Sequence, residues 1–217
     1  YEKRARPGGH SATVDIDYDG TPMAVDTGFI VYNELNYPNL TALFDHLGVS
    51  TEASDMSFSF SLDGGVREWS GCNLDTIFGQ RRNIVSLRFM WMLREILRFN
   101  RMSVSDRASG YLSGLSLADY LARRKFSPCF ASDYLLPMGA AIWSTPPADM
   151  LAFPAENFIA FFENHRLVNR DRPVWRTVSG GSRTYVERLL SPLRGRVRLA
   201  TPVAEVTRHK GRVHVRD

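Results

Sequence analysis

Tyr1-Glu-Lys-Arg-Ala-Arg-Pro-Gly-Gly-His10 opens the chain, and the rest of the sequence is read outward from it. A proline and a glycine pair within ten residues mark a tight loop. Tyr1-Glu2 reads as the end of a strand that feeds this loop. Ser11–Asp17 then alternates, with Ala12, Val14 and Ile16 set against Thr13, Asp15 and Asp17, which is the period of a strand. Tyr18-Asp-Gly-Thr21 is a turn signal, and Pro22–Val25 returns as a second strand. A β-hairpin therefore follows the glycine pair.

Further along, Asp26–Asn33 reads as a loop. A helix is expected over Tyr37–Leu47, with Leu40, Leu43, Phe44 and Leu47 on one face and Gly48 ending it. Ser57–Leu62 and Val66–Trp69 flank Asp63-Gly64-Gly65 as a hairpin. Helices are expected at Ile84–Asn100, Ser116–Arg124, Pro128–Ala140 and Ala155–Asn164, with Ser116 and Asp119 forming a capping-box start. From Trp175 the pattern changes. Val178-Ser-Gly-Gly-Ser182 leads into a helix through Leu190 with Ser182 as its N-cap. Short strands follow at Val197–Ala200, Val203–His209 and Arg212–Val215.

Composition narrows the function classes. The 217 residues are 44% hydrophobic and 23% charged, as in an ordinary globular protein. The net charge is +4, and 27 cations less 3 lysines (Lys3, Lys125, Lys210) leaves 24 arginines. They are scattered, with the densest cluster at Arg194, Arg196 and Arg198, whose spacing of two suggests the solvent face of a strand. A nucleic-acid binder would gather its cations into one patch with stacking aromatics, so nucleic acid is not the expected partner. No metal is expected: Cys72 and Cys129 follow no ligand spacing and read as reduced, partly buried thiols. His46 and His165 have no His or Cys at i+3 or i+4. No transmembrane segment is expected, because a crossing helix needs about 20 mostly apolar residues. The default location is cytoplasmic, with peripheral attachment to a membrane left open. There is no nucleophile elbow and no phosphate-loop lysine motif.

Glu2 carries the first chemistry. A carboxylate at the end of the second strand of a βαβ unit binds the ribose hydroxyls of an adenine dinucleotide. Its glycine-rich partner turn, about 20 residues earlier, would fall before Tyr1. Gly8 and Gly9 let the backbone approach a bulky anion and present N–H donors. Arg6 adds charge, and His10 adds a further donor. Asp26-Thr27-Gly28-Phe29 is a second loop of the same kind, in which Gly28 permits close backbone approach. Trp91 reads as core. Trp143 and Trp175 are candidates for lining a substrate pocket.

Glu2-x-x-x-Arg6-x-Gly8-Gly9 resembles the second fingerprint of the flavin amine oxidase superfamily. The runs Val25-Asp-Thr-Gly-Phe-Ile-Val-Tyr-Asn33, Ala141-Ile-Trp-Ser-Thr-Pro-Pro147, Phe153-Pro154, Phe161-Phe-Glu-Asn-His165 and Trp175-Arg-Thr-Val-Ser-Gly-Gly-Ser-Arg-Thr-Tyr185 resemble other segments of that superfamily. Together these are similar to a bacterial branch described as NAD/FAD-binding or flavin-containing amine oxidase-like proteins. The resemblance spans nearly the whole chain. It implies an α/β fold in which a Rossmann-like FAD/NAD(P)-binding domain, residues 1–54 and 173–217, is interrupted by a mostly helical substrate domain, residues 55–172. It implies FAD as cofactor, held by Glu2, Arg6, Gly8, Gly9, His10, Asp26, Gly28 and Phe29. Val203 is implied to set its backbone against the adenine. The implied reaction is hydride transfer from a substrate carbon to flavin N5, with an amine as the substrate; an unsaturated-lipid desaturase or isomerase is the alternative. No catalytic acid or base is identified, and no lysine lies in a matching motif. Substrate identity and oligomeric state stay open. The 217 residues alone are expected to hold FAD poorly and the intact parent tightly.

Overall fold

A computed structural model describes residues 1–168, 173–193 and 195–217. The chain begins with β1 (Thr13–Tyr18) and β2 (Thr21–Asp26), then β3 (Tyr32–Asn33), α1 (Pro38–Leu47) and β4 (Thr51–Ser54). A helical stretch follows. It starts with the hairpin of β5 (Ser59–Leu62) and β6 (Arg67–Ser70), then runs through α2 (Leu74–Ile77), α3 (Leu87–Ala108), α4 (Leu117–Arg123), α5 (Pro128–Phe130), α6 (Leu136–Trp143), α7 (Pro147–Met150) and α8 (Ala155–Asn164). The chain then returns through β7 (Trp175–Val178), α9 (Arg183–Leu190), β8 (Glu205–His209) and β9 (Arg212–Arg216). Two compact units result: residues 1–55 with 174–217, and residues 56–173.

The first unit is tied together by β7. This strand pairs antiparallel with β4, from Thr51 opposite Val178 to Ser54 opposite Trp175, and on its other edge with β3. A strand from the return segment thus lies between two strands of the opening segment. Tyr32, Phe44, Val49 and Val178 form the buried core, with Phe29, Leu40, Leu47 and Tyr185 packed against it. Helix α1 supplies Phe44 from its apolar face, starts with Pro38 in its first turn and ends at Gly48, whose φ of 64° takes the left-handed conformation that glycine tolerates. Helix and strand are mixed, but all strand pairs among the described residues are antiparallel.

Several expected boundaries move. Tyr1-Glu2 forms no strand, yet the Glu2 amide donates to the Arg198 carbonyl at 2.8 Å and its carbonyl accepts from Thr201 at 2.8 Å. The strand expected at Val197–Ala200 is absent: the segment is irregular, and Ala200 sits at φ 51°. The arginine alternation there is consequently no strand face. Arg198 instead meets Asp217 at 3.5 Å and lies over the Tyr1 ring, while Arg194 lies outside the described residues.

The second unit has the larger core. Phe99, Leu117, Tyr120, Phe130, Leu135, Met150, Phe158 and Phe162 are essentially inaccessible. The helix expected at Ile84–Asn100 begins instead at Leu87, because the Ser86 side chain accepts the Phe89 N–H and caps it. It runs on to Ala108 because Phe99, Ser103 and Asp106 keep facing inward at helical spacing. The helix expected at Pro128–Ala140 is one run as far as Trp143, widened into a π turn at Ala131–Leu135. Pro137 lies just beyond the turn and has no N–H to donate back to Asp133. The Ser116–Asp119 capping box forms reciprocally.

Three buried carboxylates staple these helices. Asp133 accepts both Nε and Nη2 of Arg88 at 3.0 Å and Nη1 of Arg67 at 2.8 Å. Asp106 accepts Arg124 Nε at 2.9 Å and the Tyr120 hydroxyl at 3.0 Å. Burial, and then that bond to Asp106, push the Tyr120 phenol well above its usual range. Glu95 accepts the Ser127 amide at 3.0 Å. Trp91, expected in the core, is 49% exposed on α3, because Phe89, Met92 and Glu95 hold the inward positions of that turn. Cys72 is exposed rather than partly buried, while Cys129 is buried.

Candidate cofactor-binding site

In the first unit the fold brings together three glycine-containing loops that are far apart in sequence. In the first, Gly8 and Gly9 adopt φ of 104° and 57°, values that L side chains resist. Gly8 faces inward: a Cβ there would lie 2.7 Å from the Ser11 carbonyl oxygen and 3.2 Å from Val186 of α9. At Gly9 a Cβ would meet nothing within 4 Å. Among the described residues the N–H groups of Gly9 and His10 have no acceptor. Arg6 is exposed beside them and donates to the Gly9 carbonyl at 3.1 Å. Open space, two free amide donors and a guanidinium together suit an anion such as a phosphate.

The second loop lies directly on the first. Phe29 donates its N–H to the His10 carbonyl at 2.9 Å, and Thr27 donates to Ala12 at 2.8 Å. Gly28 makes this approach possible, since a Cβ there would sit 2.3 Å from the His10 carbonyl oxygen. The Phe29 ring turns inward and meets Tyr185 edge-on at 6.0 Å. Its neighbour Ile30 is 55% exposed.

Asp26 ties in the third loop. Its carboxylate accepts the Thr13 hydroxyl at 2.6 Å, the Ser182 hydroxyl at 2.7 Å and the Ser182 amide at 2.9 Å. Thr13 in turn accepts the Arg183 amide at 3.0 Å. Gly181 has φ of 92°, and a Cβ on it would fall 2.4 Å from Thr13 Cγ2. The first amides of α9 are thus satisfied across the fold by Asp26 and Thr13. Ser182 has helical dihedrals and makes no side-chain cap, so the expected cap at this position is corrected: the cap is Asp26, 156 residues away. The Ser182, Arg183 and Thr184 amides at the start of α9 are thus spent, whereas those of Gly9 and His10 stay available to a ligand.

Around this cluster, Arg183 forms a two-pronged pair with Asp15 at 2.5 and 2.6 Å. The guanidinium hydrogen bond holds the Asp15 carboxyl below the usual carboxylate range. Ser11 Oγ and the Tyr185 hydroxyl are hydrogen-bonded. The Glu2 carboxylate is half-buried and accepts the Arg4 amide at 2.8 Å. Val203 is 42% exposed, two residues beyond Thr201, whose amide joins this segment to Glu2. Thr13, Ser182 and Tyr185 were not singled out as site residues. The Gly-Gly-Ser-Arg-Thr-Tyr phrase contained two of them, but nothing local to Thr13 announces a partner 169 or 170 residues away.

The two tryptophans lie in different units. Trp143 packs among Phe153, Phe158 and Phe161 at 4.7–5.3 Å in the helical unit. Trp175 begins β7 opposite Asn33 and Ser54 in the other. No group of His, Cys, Asp or Glu among the described residues can hold a metal ion. No described helix is long and apolar enough to cross a membrane.

A glycine loop with free amide donors beside a guanidinium suits a phosphate-bearing ligand. The family model for flavin-containing amine oxidoreductases matches residues 1–217, and the chain belongs to that family. Membership implies FAD as cofactor. Among solved structures, putrescine oxidase bound to putrescine is 19% identical with a TM-score of 0.63, over 99% of this chain and 47% of that one. A triple mutant from the same redesign of cofactor binding in putrescine oxidase is 18% identical with a TM-score of 0.62, over the same shares. The likeness is one of fold, and the chain spans about half the length of these structures. No curated protein matches it.

Proposed function

We propose that the protein is an FAD-dependent, amine oxidase-like oxidoreductase, and that residues 1–55 with 174–217 are part of its Rossmann-like FAD-binding domain. The helical unit is read as its substrate domain. One observation carries the reading: Gly8–His10, Asp26–Phe29 and Gly180–Ser182 are locked together through backbone approach at Gly28 and through the Asp26 carboxylate. In this reading Gly8, Gly9, His10 and Arg6 hold the cofactor phosphates, and Glu2 holds a ribose. Val203 offers its backbone to the adenine, and the backbone at Gly28 and Phe29 shapes the wall beside the flavin ring. Asp26 acts one step back, by fixing the loops that touch the cofactor. When bound, FAD supplies the acceptor for a hydride from the substrate carbon. The protein's part is to orient that carbon and keep water out. Trp143 and Trp175 are proposed contributors to substrate binding.

The test is the absorption spectrum of the protein expressed from its complete reading frame, followed by anaerobic addition of primary amines, putrescine among them. A flavin spectrum that bleaches with an amine supports the proposal. A protein that carries no flavin after gentle purification and none after incubation with FAD refutes it.

A further inference from the structure

The start of α3, with the helical turn at Arg81–Val85 before it, carries an exposed apolar surface. Leu87 is 87% exposed and Val85 82%; Ile84, Met90, Trp91 and Leu97 are also exposed. The arrangement follows from the helix. Phe89, Met92, Glu95 and Phe99 take the inward stripe. Leu87, Met90, Trp91, Arg94, Leu97 and Arg101, three and four residues apart, share the opposite one. The core therefore makes no use of this apolar surface.

The charges along this stretch have one sign. Between Asp75 and Asp106 the chain holds six arginines and a single acid, Glu95, which is buried and bonded to Ser127. Arg88 and Arg98 turn back into the unit, toward Asp133 and Glu95. Arg81 pairs with Asp75. Arg94 meets no carboxylate among the described residues and lies over the exposed Trp91 ring at 4.8 Å. Arg101 likewise has no carboxylate partner among them. A helix face bearing aliphatic tips, one indole and unpaired cations has the composition of a segment lying in a bilayer interface.

We propose that this face docks on an anionic membrane surface, with Ile84, Val85, Leu87 and Trp91 entering the headgroup region and Arg94 and Arg101 meeting lipid phosphates. Charge complementarity selects the occupant. Exposed aliphatic side chains gain nothing against a nucleic-acid backbone, whereas acyl chains and anionic headgroups satisfy both halves of the surface. The proposed contact lies at the bilayer surface, and no described helix is long and apolar enough to cross a membrane.

Co-sedimentation of the full-length holoprotein with phosphatidylcholine vesicles, with and without phosphatidylglycerol, tests this. Binding to the anionic vesicles that weakens with added salt is expected. Leu87→Asp with Val85→Asp should lower partitioning at least about tenfold, and Arg94→Glu with Arg101→Glu by a similar factor of about ten. These side chains are exposed, so the variants should keep the wild-type circular dichroism and melting temperature. Absence of anionic-vesicle binding, equal binding to neutral vesicles, or unchanged binding by Leu87→Asp with Val85→Asp overturns the proposal. So does a DNA mobility shift that those substitutions leave intact while vesicles are ignored.

Discussion

Replacing Asp26 with alanine tests how the first unit is held together. Three donors converge on its carboxylate: the Thr13 hydroxyl, the Ser182 hydroxyl and the Ser182 amide. Ser182 is fully buried, so its two donors lose their acceptor with no solvent to replace it. A buried donor left without an acceptor costs about 1–3 kcal/mol. Asp26 and Thr13 are only half-buried, and water can recover part of the third bond. The expected loss for Asp26→Ala is about 3 kcal/mol, two donors at roughly 1.5 each. Asp26→Asn keeps the Oδ1 acceptor that all three donors share but turns an amide toward the Ser182 N–H, so about half that loss is expected. Urea unfolding followed by circular dichroism gives the global value. Native-state hydrogen exchange at the Ser182 and Arg183 amides gives the local one, and protection there should fall together with the midpoint. Asp55→Ala, an exposed carboxylate of the same unit, is the control and should stay within about 0.5 kcal/mol. An Asp26→Ala loss below about 0.5 kcal/mol, with exchange at Ser182 unchanged, would show that the network holds nothing.

Gly28→Ala places a methyl 2.3 Å from the His10 carbonyl oxygen, so the two loops must part. A destabilisation of about 1–3 kcal/mol with weaker FAD retention by the full-length protein is expected, and wild-type stability and retention would contradict the contact. Phe130→Ala removes a fully buried ring packed against Phe99, Phe126 and Tyr134. It should cost about 3–5 kcal/mol in chemical denaturation; a cost under about 1 would show that the site is not core. Burial holds the His165 imidazole below its usual range. The unfolded chain therefore protonates first, and stability is lost as pH falls from about 6.5. His165→Gln should flatten that slope between pH 7 and pH 5, and an unaltered slope would rule out His165 as its source.

Much of the site was legible because its signals are local. The glycine pair at 8–9 announces a backbone of positive φ, Gly28 announces a close approach, and α1, α4 and α8 follow from apolar spacing and their end residues. The helix period also marked most of α3. The same period could not say that Trp91 would face out, because a helix shows two stripes and only its neighbours decide which is covered. Phe89 and Met92 took the inward positions of α3, and Trp91 was left on the surface.

The sequence by itself determined the glycine loops, the hairpins, the helical middle stretch and the family resemblance, since each is written in residues near one another along the chain. Only the tertiary structure decided that Asp26 caps a helix 156 residues away, that β7 lies between β3 and β4, and that Val197–Ala200 is no strand. Which donor meets which carboxylate, and which edge a strand joins, depends on side chains brought together from distant positions. Local pattern has no access to that, because the energy that selects each pairing exists only once the partners are packed.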